Sequence, residues 1–428
     1  MSKPLADTML KTQKTVLKNG ARIVTETIPS VRSVALGINV DSGSGNETGA
    51  ELGYSHFLEH LFFKGTEKRS AFDIAHEIDR VGGRMNAATG KEATSYYVVV
   101  LDSHSALGLD VLTDIFMNSL FDAKEIEVEK GVVLEEIKMY EDTPDELIHD
   151  FFMDVCLPGH PMGRPVLGTP ATIKGLTREK IVAFKNKLYS PDRLLITAAG
   201  HVEHAQVVEA VSLLFNKLKI PQYKIDYPKA VFTPGIHVKT KETEQVHFCL
   251  GSPGLSNLDP DRYKFAVLDT ILGSSTSSRL FQEVREKRGL AYSIFSYNMA
   301  FEDFGLFAVY GGTSVENLKV AVDVTLGEMK AIRSVGITPE ELHKGKEYLK
   351  GSMVLGLEST SARMGWITRS EMTYNRVMTL DEVFAEINKV TADDIRKLAE
   401  RLWGPNKLSL AVIGNLKKKD LTVKELKC

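Results

Sequence analysis

Two stretches of this sequence match each other without a gap, and they lie half the chain apart. The first runs from residue 177 to 200 and the second from residue 391 to 414, so the offset is 214 residues in a chain of 428. The shared positions are Thr177 and Thr391, Ile181 and Ile395, Leu188 and Leu402, Pro191 and Pro405, Leu194 and Leu408, and Gly200 and Gly414. This length predicts a duplicated domain, because solenoid repeats use units of about 20–50 residues.

Strand and helix signals occur in blocks within each half rather than in regular alternation. An Asn19-Gly20 turn between two alternating segments, for example, predicts a β-hairpin. Blocks of this kind are typical of an α+β fold, and we expect two tandem homologous domains, each a mostly antiparallel sheet layered with helices. Residues 221–235 contain three prolines and little periodicity, which indicates a linker. The expected domains are therefore residues 1–220 and 236–428.

The composition excludes several classes of protein. Hydrophobic residues make up 43% and charged residues 25%, as in ordinary globular proteins, and a net charge of −3 gives no sign of a nucleic-acid partner. No run of about 18 apolar residues occurs, so we expect no membrane span. Cys156, Cys249 and Cys428 are far apart, which fits a reducing compartment. The N-terminus has no secretory apolar segment, so we expect a cytoplasmic protein.

A His-x-x-Glu-His motif, formed by His56, Glu59 and His60, lies in an apolar stretch of helical length. Helical geometry places the two imidazoles on one face, with Cβ atoms about 5–6 Å apart, where both can bind one metal ion. Such a pair with an open position for water suits zinc, and a carboxylate beside that water can remove its proton. The pattern is typical of inverzincin peptidases. The alternative is two ordinary histidines on a partly buried helix.

A third metal ligand is expected from the acidic helix predicted for residues 124–141. At about 100° per residue, its apolar residues form one stripe that begins at Ile126. Glu129 and Glu136 border that stripe two turns apart, whereas Glu135 faces away from it. A carboxylate beside an apolar face is unfavourable unless it is paired or bound to metal. We therefore predict Glu136 as the ligand and Glu129 as its supporting partner; two solvated glutamates are the alternative.

The spacing of these residues resembles that of the insulinase/pitrilysin family of metallopeptidases. The motif helix is followed far downstream by Glu136, with Glu129 two helical turns before it. Further matches to family motifs occur in three stretches: residues 83–89, 160–168 and 279–292. The similarity covers nearly the whole chain. Within the family it is greatest to the mitochondrial processing peptidase-like branch, whose subunits are two-domain chains of this size.

The resemblance implies specific roles for individual residues. His56, His60 and Glu136 would hold one zinc ion (Zn²⁺) per chain. Glu59 would be the general base, and Glu129 would support the site. Arg285 and Tyr292 would hold substrate carbonyls, and Asn86 and Ala87 would belong to an edge strand that binds an extended peptide. From the residues alone, a surface charge remains the alternative for Arg285 and a core aromatic for Tyr292.

The second half lacks a comparable metal set. Residues 266–270, which correspond to the motif helix, include no histidine, and His237, His247 and His343 lack metal spacing. We therefore expect the second domain to bind substrate and to form a wall of a chamber. Family members of this length pair two chains, so the resemblance implies a homodimer or a heterodimer with a related subunit.

The leading hypothesis is a zinc-dependent endopeptidase that hydrolyses peptide bonds in extended or unfolded polypeptides. One alternative is a catalytically silent subunit that binds peptides or assembles a processing peptidase; the intact metal motif argues against it. The other is a zinc hydrolase of a non-peptide substrate. The edge strand and the duplicated chamber favour a polypeptide substrate, again through the family resemblance.

Overall fold

The computed structural model describes most of the chain, in three ranges: residues 11–218, 228–417 and 426–427. Residues 221–227 of the predicted linker and Cys428 lie outside the described residues. The rest of the linker, residues 228–234, has neither helix nor strand, and a strand begins at Gly235. No helix in the described ranges is both long and apolar enough to cross a membrane.

Six of the described strands form the first sheet. They are β1 (Lys11–Val16), β2 (Arg22–Thr27), β3 (Ser33–Val40), β4 (Arg84–Thr89), β5 (Thr94–Leu101) and β6 (Leu194–Gly200). Their order across the sheet is β1-β2-β6-β3-β5-β4, and every neighbouring pair is antiparallel except β2 and β6. The Asn19-Gly20 hairpin is confirmed, with Gly20 at a φ of 93° that glycine adopts without strain. Strand β4 is the last strand at one edge.

The second sheet repeats this arrangement with five described strands. They are β7 (Gly235–Thr240), β8 (Val246–Pro253), β9 (Ala291–Ala300), β10 (Gly305–Thr313) and β11 (Ser409–Gly414). Their order is β7-β11-β8-β10-β9, and the parallel pair is β7 and β11, which corresponds to the parallel pair β2 and β6 of the first sheet. Strand for strand, β7, β8, β9, β10 and β11 correspond to β2, β3, β4, β5 and β6. The predicted α+β duplication is confirmed.

Fourteen helices are present in the described residues. They are α1 (Tyr54–Leu61), α2 (Ala71–Asp79), α3 (Ser105–Asn118), α4 (Ala123–Glu141), α5 (Pro144–Cys156), α6 (Pro170–Lys174), α7 (Arg178–Leu188), α8 (His204–Phe215), α9 (Arg262–Leu272), α10 (Leu318–Ser334), α11 (Pro339–Gly356), α12 (Thr360–Tyr374), α13 (Leu380–Lys389) and α14 (Ala392–Leu402). A π-helical turn, Phe281–Glu286, precedes β9.

The chain forms two compact units, and each half of the sequence contributes a helix to the unit built mainly by the other half. Besides the division in the linker, boundaries fall after Ile137, Gly163, Leu355 and Met378. Helix α5 therefore packs on β8 and β11 of the second sheet, and α12 packs on β2, β3 and β6 of the first. The domain limits expected from the sequence miss this exchange, because an amphipathic helix does not encode which sheet it will cover.

Helix α1 packs its apolar face into the core of the first unit. Phe57, Leu58, Leu61 and Phe62 are all essentially buried, and the Phe62 ring meets Tyr96 of β5 edge-to-face at 4.9 Å. Because these side chains fix the rotation of α1 about its axis, the other face of the helix, which carries the two motif histidines and Glu59, is turned away from this apolar core.

Candidate metal centre

The start of α1 is held by a buried carboxylate and a close backbone contact. Glu47 accepts hydrogen bonds from the N–H of Gly53 at 2.8 Å and of Ser55 at 2.7 Å, which satisfies two donors of the first helical turn. Gly53 has a φ of 84° and packs against Gly168, where a Cβ on Gly53 would lie 2.6 Å from the carbonyl oxygen of Leu167. Only glycine fits there, so the 160–168 loop fixes where α1 begins.

The side chains of His56, His60 and Glu136 converge, as the motif and the helical stripe predict. The Nε2 atoms of the two histidines lie 3.3 Å apart. Glu136 places Oε1 3.6 Å from the Nε2 atom of His56 and Oε2 3.7 Å from that of His60. Among the described residues, these three form the one group of metal-ligating side chains whose donor atoms all lie within 4.8 Å of one another.

These distances fit a zinc ion. Donor atoms about 2.0–2.1 Å from a tetrahedral zinc lie roughly 3.4 Å from each other, close to the separations of 3.3 to 3.7 Å found here. The Oε2 atom of Glu136 is also buried without a hydrogen-bond partner in the described part of the chain, which a buried carboxylate oxygen rarely tolerates. Two imidazoles and one carboxylate form a donor set that leaves a fourth position for water.

Glu129 supports the site through His60, whereas the sequence predicted it as the partner of Glu136. Its Oε1 lies 2.7 Å from Nδ1 of His60, and its Oε2 lies 2.5 Å from Nζ of Lys64. The carboxylate is only 2% exposed, which excludes the alternative of a solvated glutamate. A carboxylate on the outer nitrogen of a metal-binding histidine fixes its tautomer and its ring orientation.

The protonation of His56 suits metal binding. Burial, together with the neighbouring charge of His60, lowers the pKa of His56 to about 4, so this imidazole is neutral at pH 7. Burial also lowers the pKa of His60, but the hydrogen bond and the charge of Glu129 outweigh burial and raise it. Burial raises the pKa of Glu136, and the charge of His60 partly opposes that rise.

Glu59 borders the same face of α1 and is held by the edge strand β4. Thr89, the last residue of β4, donates its hydroxyl hydrogen bond to Oε2 of Glu59. Burial raises the pKa of Glu59, while Thr89 and the charge of His60 lower it in part. A carboxylate whose pKa is shifted upward toward neutrality is suited to accept and release a proton.

The predicted substrate residues Asn86 and Ala87 lie in β4, whose outer edge has no strand beside it in the described sheet. Asn86 is exposed, and its Oδ1 accepts a hydrogen bond from the N–H of Ala87 at 2.9 Å. The amide of Ala87 is therefore bonded to the side chain of its own neighbour in the chain.

Arg285 and Tyr292 come together in the second unit. The guanidinium carbon of Arg285 lies 4.7 Å from the ring centre of Tyr292 and 4.7 Å from that of Phe281, so the cation is stacked between two rings. Tyr292 is 77% exposed, which excludes the alternative of a core aromatic. The Arg285 side chain is 34% exposed, and its Nε lies 3.7 Å from Oε1 of Glu286.

Three residues of the site are not predicted from the sequence. Glu47 and Lys64 have no periodic signal, because each contacts its partner through the tertiary fold. Thr89 lies in the 83–89 motif, and only its place in that motif indicates a link to the site.

Two family models match the chain. A model described as Insulinase (Peptidase family M16) matches residues 22–170, and one described as Peptidase M16 inactive domain matches residues 175–349. The predicted metal-binding residues all fall in the first match, and Arg285 and Tyr292 fall in the second.

Curated relatives and solved structures agree with these matches. An uncharacterized zinc protease of Streptomyces coelicolor is 45% identical over 415 residues, which cover 95% of this chain and 90% of that protein. A second uncharacterized zinc protease, from Bacillus subtilis, is 42% identical over 386 residues, which cover 90% of this chain and 94% of that protein. A Helicobacter pylori protease has the same fold, with a TM-score of 0.87 at 23% identity over 94% of this chain and 99% of that one.

Proposed function

Because the chain belongs to the insulinase family, peptidase family M16, we propose that it is a zinc-dependent endopeptidase that cleaves extended or unfolded polypeptides. The observation that carries the proposal is the convergence of His56, His60 and Glu136 within 4.8 Å. The zinc protease names of its relatives agree with this donor set.

The chain's own residues would divide the work of peptide hydrolysis. His56, His60 and Glu136 would hold one zinc ion, and Glu129 would keep the His60 ring in place. Bound zinc supplies a Lewis acid that polarises the peptide carbonyl and makes water more acidic. Glu59 would remove a proton from the attacking water and pass it to the amine that leaves, which is general base and then general acid catalysis.

The outer edge of β4 would bind the substrate as an added strand. Main-chain hydrogen bonds of this kind need an extended partner and little side-chain specificity, which favours unfolded polypeptides. The peptide would replace the side chain of Asn86 at the N–H of Ala87. Arg285, stacked between its two rings, would donate to substrate carbonyls, with Tyr292 beside it.

For the assembly, we propose that two chains pair, as a homodimer or with a related subunit. This chain carries both the metal residues and the Arg285–Tyr292 pair, so a homodimer would have complete sites. Light scattering of the purified protein, alone and with candidate subunits, tests the pairing.

The proposed activity is tested with an unfolded, fluorescently labelled casein. We expect the purified zinc-loaded protein to cleave it, a chelator to stop cleavage, and added zinc to restore it. Cleavage that survives the chelator would contradict the metal mechanism. Zinc binding without cleavage of any unfolded protein would favour the silent subunit, and turnover of a small ester or amide alone would favour a hydrolase of non-peptide substrates.

A further inference from the structure

The hydroxyl of Thr89 joins the edge strand to the proposed catalytic base. Thr89 ends β4, pairs in register with Thr94 of β5, and donates its hydrogen bond to Oε2 of Glu59. The bond crosses from the strand on which a peptide would lie to the helix that carries the metal-binding histidines.

A glutamate side chain needs such a contact to act as a base. Its rotatable bonds give the carboxylate several positions, and a general base must lie within hydrogen-bond reach of the proton that it removes. A hydroxyl that holds one carboxylate oxygen leaves the other oxygen free to accept from water. Thr89 is partly buried, and its β-branched side chain sits in a strand that restricts its rotamers, so it offers a stiff point of attachment.

We propose that Thr89 is a positioning residue for Glu59: its hydroxyl orients the carboxylate toward the attacking water and ties the base to the strand that binds the substrate. A peptide that adds to β4 would order this strand, and with it the base. The inference rests on the proposed function and adds a residue that acts through Glu59 rather than on the substrate.

The test compares two variants of Thr89, one that keeps its branched shape and one that keeps its hydroxyl. Thr89→Val keeps the branched shape and the strand propensity but removes the hydroxyl. Thr89→Ser keeps the hydroxyl and removes a methyl group. A matched control is Thr113→Val, because the buried Thr113 hydroxyl, in the described structure, bonds to carbonyls of its own helix, that of Leu109 at 2.7 Å and that of Asp110 at 3.1 Å.

Rates are measured on the full zinc-loaded chain with a quenched fluorescent, unstructured peptide. Loss of one hydrogen bond to a charged group predicts a kcat of T89V about tenfold to a hundredfold lower. We expect its KM, zinc content and melting temperature to stay near those of the wild type. T89S should retain a kcat within about threefold of the wild type, and T113V should retain full activity. Adding T89V to Glu59→Gln should lower kcat no further, because the two residues act through one carboxylate.

Several results would overturn the role of Thr89. One is a T89V variant with the kcat of the wild type, and another is a T89S variant as slow as T89V. A T89V variant that differs from the wild type in KM alone would also contradict it. A T89V variant that has lost its zinc or its folded structure would show that the hydroxyl serves stability instead. If the wild type itself cleaves no peptide, the proposed function fails, and this role fails with it. If the wild type cleaves the peptide and T89V cleaves it equally fast, the proposed function stands and only the positioning role of Thr89 is wrong.

Discussion

The two units share one sheet topology, yet they differ at the place where the first holds its candidate metal centre. In the first unit, α1 presents His56 and His60 to the glutamates of α4. In the second, α9 presents Val267 and Ile271 to Gly345 of α11, where a Cβ on the glycine would lie 2.9 Å from Cγ1 of Ile271. The same helix faces thus meet through a polar cluster in one unit and through close apolar packing in the other.

The difference shows that this fold does not depend on the polar cluster. Val267 and Ile271 are buried without any polar partner to satisfy, whereas Glu129 is buried and needs both His60 and Lys64. Buried charges of this kind add little stability compared with apolar packing. Their presence in the first unit is therefore better explained by chemistry than by folding.

The strongest way to break this comparison is to give the first unit the apolar pair of the second. We expect His56→Val/His60→Ile to abolish zinc binding and peptide cleavage, because two of three ligands are gone, while the protein still folds. Zinc content, cleavage rate and the circular dichroism spectrum measure these effects. The control is His343→Val, an exposed histidine of α11.

The double variant can fail in an informative way. If it does not fold, the polar cluster stabilises the first unit, and the second unit is a poor guide to it. If it still binds zinc with the wild-type affinity, the ligands lie elsewhere.

A smaller effect separates the base from the ligands. We expect Glu59→Gln to lower kcat by about 10²–10⁴-fold, the usual contribution of a general base, and to leave zinc bound, because Glu59 is not in the converging group. Steady-state rates and metal analysis check this, with Glu135→Gln on the exposed face of α4 as control. Unchanged cleavage by Glu59→Gln would remove the base from the mechanism.

Local helical geometry explains what could be predicted of the site. The positions of His56, Glu59 and His60 follow from four-residue spacing, and the apolar stripe from Ile126 placed Glu136 on the correct face of α4. Both inferences need only one helix each. The strand order also follows from the sequence in part, because the repeat implies that whatever sheet the first half forms, the second half forms as well.

Contacts between elements could not be predicted in the same way. Periodicity does not indicate that Glu129 contacts His60 rather than Glu136, because that contact depends on how α1 and α4 pack. In and beside the second-unit stretch that matches the motif helix, residues 266–270, the residues that face Gly345 of α11 are Val267 and Ile271. A shift of one residue is invisible in periodicity but changes the face of a helix by about 100°.

The two units also differ in the partners of a buried carboxylate. Glu129 of the first unit contacts His60 and Lys64, whereas Asp269 of the second unit contacts a serine hydroxyl. Asp269 of α9 accepts from the hydroxyl of Ser296 at 2.5 Å, and burial raises its pKa to about 7. The unfolded chain has the ordinary value of 3.8, so the folded state binds an extra proton between pH 4 and 7. Stability should therefore fall as the pH rises through this window, by roughly 2–3 kcal/mol between pH 5 and 8.

The variant Asp269→Asn should lose this part of the pH dependence and become more stable than the wild type at pH 8. Denaturant unfolding followed by the fluorescence of buried Trp403, in a Trp366→Phe background, measures it in the second unit. Asp323→Asn on the surface of α10, where the carboxylate is 50% exposed, is the control. An equal slope of stability against pH in the variant would mean that Asp269 is not the group responsible.

The smallest expected effect concerns Lys64, the cation beside Glu129 in the first unit. Lys64→Met removes the cation 2.5 Å from Oε2 of Glu129 and leaves that carboxylate bound to His60 alone. Because groups behind a metal ligand typically contribute 10–100-fold to affinity, we expect zinc to bind about tenfold or more weakly, measured by competition with a chromophoric chelator. Lys64→Arg should restore most of the affinity. Lys130→Met removes the cation of a separate ion pair on α4, 2.7 Å from Oε1 of Glu127, and should leave the zinc affinity unchanged. Equal affinity in Lys64→Met and Lys130→Met would mean that Glu129 orients His60 without help from the lysine.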